Sequence, residues 1–98
     1  MTQYDIVQKV HQVMLECGLF TPADIKTRSY EAEDFCVGAK GRDGSFIHVS
    51  VWLLEGRTNE QKGALTGAIK ANLCGVLKNV DQVSVDIQDM VRDTYRKC

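Results

Sequence analysis

The chain has 98 residues, 44% of them hydrophobic and 26% charged, with a formal net charge of −1. That size sets a single domain, residues 1–98, able to bury roughly 60–70% of its unfolded surface. The charge balance excludes a nucleic-acid or anionic-membrane surface, which needs clustered Lys and Arg.

Thr2-Gln-Tyr-Asp5 reads as a helix start, with Thr2 at the N-cap and Asp5 at N3. Ile6, Val10, Val13 and Cys17, flanked by Val7 and Met14, form one apolar stripe at helical period. His11 lies beside that stripe and is expected to be exposed. Gly18 is the natural C′ residue, and Pro22 stops any continuation.

Residues 25–37 read as an extended but irregular strand. Ile25, Thr27 and Ser29 face one way, and Lys26, Arg28 and Tyr30 the other. The acidic Glu31-Ala-Glu-Asp34 interrupts it and reads as a solvated loop. Asp43-Gly44 then marks a turn.

Residues 46–54 give the clearest strand. Ile47, Val49, Val51 and Leu53 form a core face of β-formers. The opposite face, Phe46, His48, Ser50, Trp52 and Leu54, is too apolar for open solvent and too polar for a monomer core. Subunit contact or a lined pocket fits it.

Gly56-Arg57 leads into a second capping box, Thr58-Asn-Glu-Gln61. The helix behind it is expected to bury Leu65, Ile69, Leu73 and Leu77, helped by Ala68 and Val76. Gly63 and Gly67, one turn apart, cost helix stability of roughly 1 kcal/mol each against Ala. Close helix–sheet approach is the expected reason for them. Val83, Val85 and Ile87 alternate with Ser84, Asp86 and Gln88 in a last strand, and a polar tail follows from Met90.

The four cysteines, at 17, 36, 74 and 98, contain no C-x-x-C pair and no zinc spacing. Cys17 and Cys74 read as small core residues and Cys36 as part of a strand. No apolar run nears the ~18 residues of a membrane span, and no signal peptide is apparent, so the cytoplasm is the expected location. Arg57 is the sharpest candidate for chemistry. It places a guanidinium at the carboxyl end of a strand, beside free N–H groups at a helix start, where an anion is stabilised. A small acidic molecule is the expected partner.

The order helix, strand, loop, strand, helix, strand is an α/β (α+β) arrangement in which residues 46–89 form one β-α-β unit. Gly18-Leu-Phe-Thr-Pro-Ala-Asp-Ile-Lys-Thr-Arg28, Phe46-Ile-His48 and Gly56-Arg57-Thr-Asn-Glu-Gln-Lys62, in that order, resemble the 5-carboxymethyl-2-hydroxymuconate delta-isomerase family of the tautomerase superfamily. The resemblance covers essentially the whole chain.

It implies a tautomerase-like β-α-β repeat, a small mixed sheet with two helices on one face, and a homotrimer. It also implies isomerisation of an unsaturated acidic keto/enol substrate without metal or organic cofactor, as in aromatic-compound degradation. By position, Arg57 takes the catalytic role of the family's arginine, and Lys26 falls where an arginine is usual. Phe46 and His48 match the family's Phe-x-His, and Arg28 shares the face of Lys26; these four are the expected substrate-binding residues. The family opens on a strand with an N-terminal proline base, whereas Met1-Thr2 already stands at the first helix. The expectation is therefore weak isomerase activity at best, and the alternative is a non-catalytic homo-oligomeric module of the same fold.

Overall fold

The computed structural model describes residues 1–98. Two helices and two strands carry the fold: α1 (Gln3–Glu16), β1 (Phe46–Leu54), α2 (Asn59–Val76) and β2 (Gln82–Met90). Both helices open on capping boxes. Thr2 and Asp5 exchange side-chain and backbone hydrogen bonds at the start of α1, and Thr58 and Gln61 do so at α2. Two otherwise orphaned N–H groups are satisfied at each start. Gly18 follows the last turn of α1 at φ 78°, which a glycine adopts without the Cβ penalty.

β1 and β2 pair in parallel, with Phe46 opposite Gln82 and Leu54 opposite Met90. The α2 crossover makes this possible, since parallel neighbours need a connection longer than a hairpin. Val51 and Leu53 of β1 join Val10 and Val13 of α1 and Leu65, Ile69 and Leu73 of α2 in one buried cluster. Ile47 and Val49, with Val83, Val85 and Ile87, are half-buried on that same face, so both helices lie on one side of the sheet. The other side, with Phe46 45% and Trp52 64% exposed, is uncovered.

Several expectations are corrected. Residues 25–37 form no strand of the sheet; apart from the one-turn helix Pro22–Asp24 before them, their order is confined to a single bridge between Val37 and Gly41. The sheet is two-stranded and parallel rather than mixed. Cys36 therefore lies outside any strand and is exposed. Cys74 is exposed too, because α2 buries Leu65, Ile69 and Leu73 at four-residue spacing and position 74 lies about 100° round from Leu73. For the same reason Ala68 and Val76 face out, while Leu77 caps the helix half-buried. Met90 belongs to β2 rather than to a tail.

Gly63 and Gly67 do not serve close packing, since a Cβ at either would meet no atom within 4 Å. Gly44 is the glycine that close approach requires: a Cβ there would lie 2.5 Å from that of Val37. Its neighbour Ser45 is anchored to the start of β2, where its N–H donates to Asp81 Oδ2 at 3.0 Å.

Candidate functional site

β1 has a neighbour on one side only. Along its other edge a cleft of about 1070 Å³ separates it from residues 24–32, with α1 as the floor. Residues 26–36 belong to no helix or strand, bend at residues 33–34, and make no backbone–backbone hydrogen bond. Side chains hold them to α1 instead. His11 Nδ1 and Thr27 Oγ1 are 2.7 Å apart, Ser29 Oγ donates to Gln3 Oε1 at 2.9 Å, and Gln3 Nε2 donates to Glu31 at 3.0 Å. His11, expected in solvent, is half-buried by this contact.

Thr27 and Ser29 turn towards α1, whereas Lys26 and Arg28 are exposed. Neither cation is in an ion pair. Lys26 Nζ donates to the Asp24 carbonyl at 3.3 Å, and the Arg28 guanidinium lies 5.8 Å from the Tyr30 ring centroid. Across the cleft, β1 presents Phe46 and His48 on the uncovered side of the sheet. The His48 ring meets Ser84, its partner in register, at Nδ1···Oγ 2.6 Å, and its Nε2 has no protein partner. Phe46 packs edge-on against Phe35 with centroids 6.2 Å apart. Lys26, Arg28, Phe46 and His48 thus line one cleft.

Arg57 does not line it. Its guanidinium is half-buried, donating to the Leu54 carbonyl at 3.1 Å and the Leu19 carbonyl at 2.8 Å. It also stacks 5.0 Å from the centroid of Phe20, whose ring does reach the cleft. Arg57 ties the β1–α2 turn to the end of α1 and stands behind the wall of the cleft.

Sequence reasoning missed three groups here. Ser84 pairs with His48 through strand register, which alternation alone does not give. Met90, the last residue of β2, and Tyr95 beyond it also line the cleft. Asp24 forms an ion pair with Lys97, whose ammonium hydrogen bond holds the carboxyl below its usual range. Opposite charges 73 positions apart leave no local signal. No three His, Cys, Asp or Glu side chains are grouped so as to hold a metal ion, and no helix is long and apolar enough to cross a membrane.

Two helices backing a β-α-β sheet, with unpaired cations and a histidine at the mouth of an apolar cleft, define a small tautomerase-like α+β protein. The chain belongs to the 5-carboxymethyl-2-hydroxymuconate isomerase family, whose pattern it matches over residues 2–94. That membership supports an isomerase function of the tautomerase kind. Comparison with curated proteins gives no match.

Proposed function

We propose that this chain isomerises a small unsaturated keto/enol acid, without a cofactor, in the cleft between residues 24–32 and β1. The supporting observation is the meeting of Lys26, Arg28 and His48 at one rim in a member of an isomerase family. Lys26 and Arg28 hold the substrate carboxylate, Arg28 by a two-pronged contact and Lys26 as a point charge. Phe46 packs on the conjugated carbon chain.

The reaction moves one proton within the substrate. His48 Nε2 takes the proton of the enol O–H, and the dienolate charge spreads towards the two cations. The same proton returns to carbon and leaves the conjugated ketone, so nothing is gained or lost. For Nε2 to accept, Nδ1 must carry the ring proton and donate it to Ser84 Oγ, the partner observed at 2.6 Å. Arg57 is a positioning residue in this scheme, holding Phe20 and the turn above α2.

Association through the uncovered sheet face completes the reading. Phe46, Trp52 and Leu54 there form an apolar stripe of the kind that monomers rarely expose, and a homotrimer is the proposed assembly. The alternative, a non-catalytic homo-oligomeric module, draws on the engagement of both cleft carboxylates, Asp24 by Lys97 and Glu31 by Gln3. That leaves His48 as the one proton acceptor proposed.

Ultraviolet decay of a 2-hydroxy-2,4-dienoate separates the two readings. Isomerisation above the buffer rate, reduced 10²–10⁴-fold in His48→Ala as expected for loss of a general base, supports the isomerase. A buffer-level rate in the parent chain supports the module.

A further inference from the structure

The chain beyond β2 is fastened at two points. Arg92 ties its start to the end of β1, its N–H donating to a Glu55 carboxylate oxygen at 2.7 Å and its Nε to the Glu55 carbonyl at 2.9 Å. Lys97 ties its far end to Asp24, just ahead of Lys26. Tyr95 lies between these two anchors and lines the cleft, as Asp24 and Lys26 do. Asp24 carries two ammonium groups at once. Its carboxylate accepts from Lys97, and its carbonyl accepts from Lys26 Nζ at 3.3 Å. The Lys97 hydrogen bond first, and the Lys26 charge more weakly, hold that carboxyl below its usual range. A carboxylate is thus already seated where two cations of the cleft meet, and it belongs to the chain itself. The Lys97 and Asp24 side chains are 46% and 53% exposed, so an anion from solution reaches both.

We propose that Lys97 is a further carboxylate-binding residue at the Lys26 end of the cleft, with Asp24 as an internal counter-ion that an acidic ligand displaces. This rests on the reading that Lys26 holds the ligand's carboxylate. On binding, Lys97 Nζ exchanges the Asp24 oxygen for a ligand oxygen. No covalent bond changes, and the released Asp24 carboxylate turns to water. The ion pair has two effects of opposite sign. It places Lys97 beside Lys26, where a lysine on an untethered tail would pay the entropy of being ordered. It also competes with the ligand, because each ligand carboxylate must take the place of Asp24. Loss of Lys97 therefore weakens binding, and loss of the Asp24 charge strengthens it. A pair of purely structural role gives both variants the same sign.

The probe is sorbate, a conjugated dienoate without the 2-hydroxyl group, titrated into the full chain at constant pH and ionic strength and followed by amide shifts. Lys97→Met should weaken sorbate binding roughly two- to fivefold, the scale of an exposed ion pair, and Asp24→Asn should tighten it by a similar factor. Lys97→Arg should keep the parent affinity. Lys40→Met and Asp81→Asn make the same changes of charge in the pair at the other end of the sheet, where the ions are 2.8 Å apart, and should leave sorbate binding as it is. Changes of the same sign at Lys97 and Asp24, equal changes from the Lys40 and Asp81 variants, or no binding to the Asp24→Asn chain at millimolar sorbate would each overturn the proposal. Dienoate turnover judges the isomerase reading separately: opposite shifts without turnover sink that reading alone, and turnover with shifts of one sign sinks this proposal alone.

Discussion

Arg57 donates a hydrogen bond of 2.8 Å to the carbonyl of Leu19, 38 positions earlier in the chain. One guanidinium thereby joins the connector after α1 to the turn between β1 and α2, with a second bond to Leu54 at 3.1 Å. Hydrogen bonds made by charged groups contribute roughly 1.5–3 kcal/mol each. Arg57→Ala should lower unfolding free energy by about 2–4 kcal/mol in urea, and Arg57→Lys should recover part of it, since an ammonium lacks the fork that reaches both carbonyls. A loss below about 0.5 kcal/mol, within the range of ordinary surface changes, would assign those contacts no structural weight.

Gly63 and Gly67 give an expectation of opposite sign. Open space surrounds both positions, so Ala at either should stabilise α2 by about 1 kcal/mol, with near-additivity in the double variant. Thermal unfolding checks this. A drop in midpoint for Gly63→Ala or Gly67→Ala would mean that an oligomer partner covers that face of α2.

Three carboxyls have folded values below their ordinary range: Asp81 through the Lys40 ammonium and the Ser45 N–H, Asp24 through Lys97, and Asp5 through the Thr2 N–H. A depressed folded value contributes stability above the unfolded value, about 3.9, that is lost as pH falls through the folded one. The urea midpoint should therefore decline below about pH 4, and Asp81→Asn should flatten that limb. Lys97 is raised by Asp24, so its contribution is present below about 10.4 and lost as pH rises through its folded value. Asp24→Asn should weaken both limbs; unchanged pH profiles would remove the Asp24–Lys97 pair from the account.

The uncovered sheet face predicts self-association. Trp52 is 64% exposed in the single chain, and buried aromatics dominate interface energetics. Sedimentation velocity should show a trimer at micromolar concentration, and Trp52→Ser should dissociate it. A parent chain that sediments as a monomer would contradict this.

What the sequence disclosed was local. The capping boxes at Thr2 and Thr58, the Gly18 terminus and the alternation of 47–53 and 83–87 each depend on neighbours a few positions away, and all are present. What it hid was pairing at a distance. Residues 25–37 alternate well enough for a strand, yet pairing requires a neighbour, and their polar groups turn to Gln3 and His11 of α1 instead. Cys74 and Val76 belong to an apolar pattern wider than the stripe that α2 buries. For the site, alternation put Lys26 with Arg28 and Phe46 with His48, but nothing local tells which stretch of chain lies across a cleft from which. Arg57 carried the strongest local signal, and the structure gives it two carbonyl partners behind Phe20.

The most direct test of the central claim is a nitrogen-15 NMR titration of the chain with an unsaturated dicarboxylate. Binding in the cleft predicts shifts of the amides at residues 26–29 and 46–50, lost in the K26E/R28E double variant. Shifts confined to Arg57 and residues 58–61, or none at millimolar ligand, would contradict it.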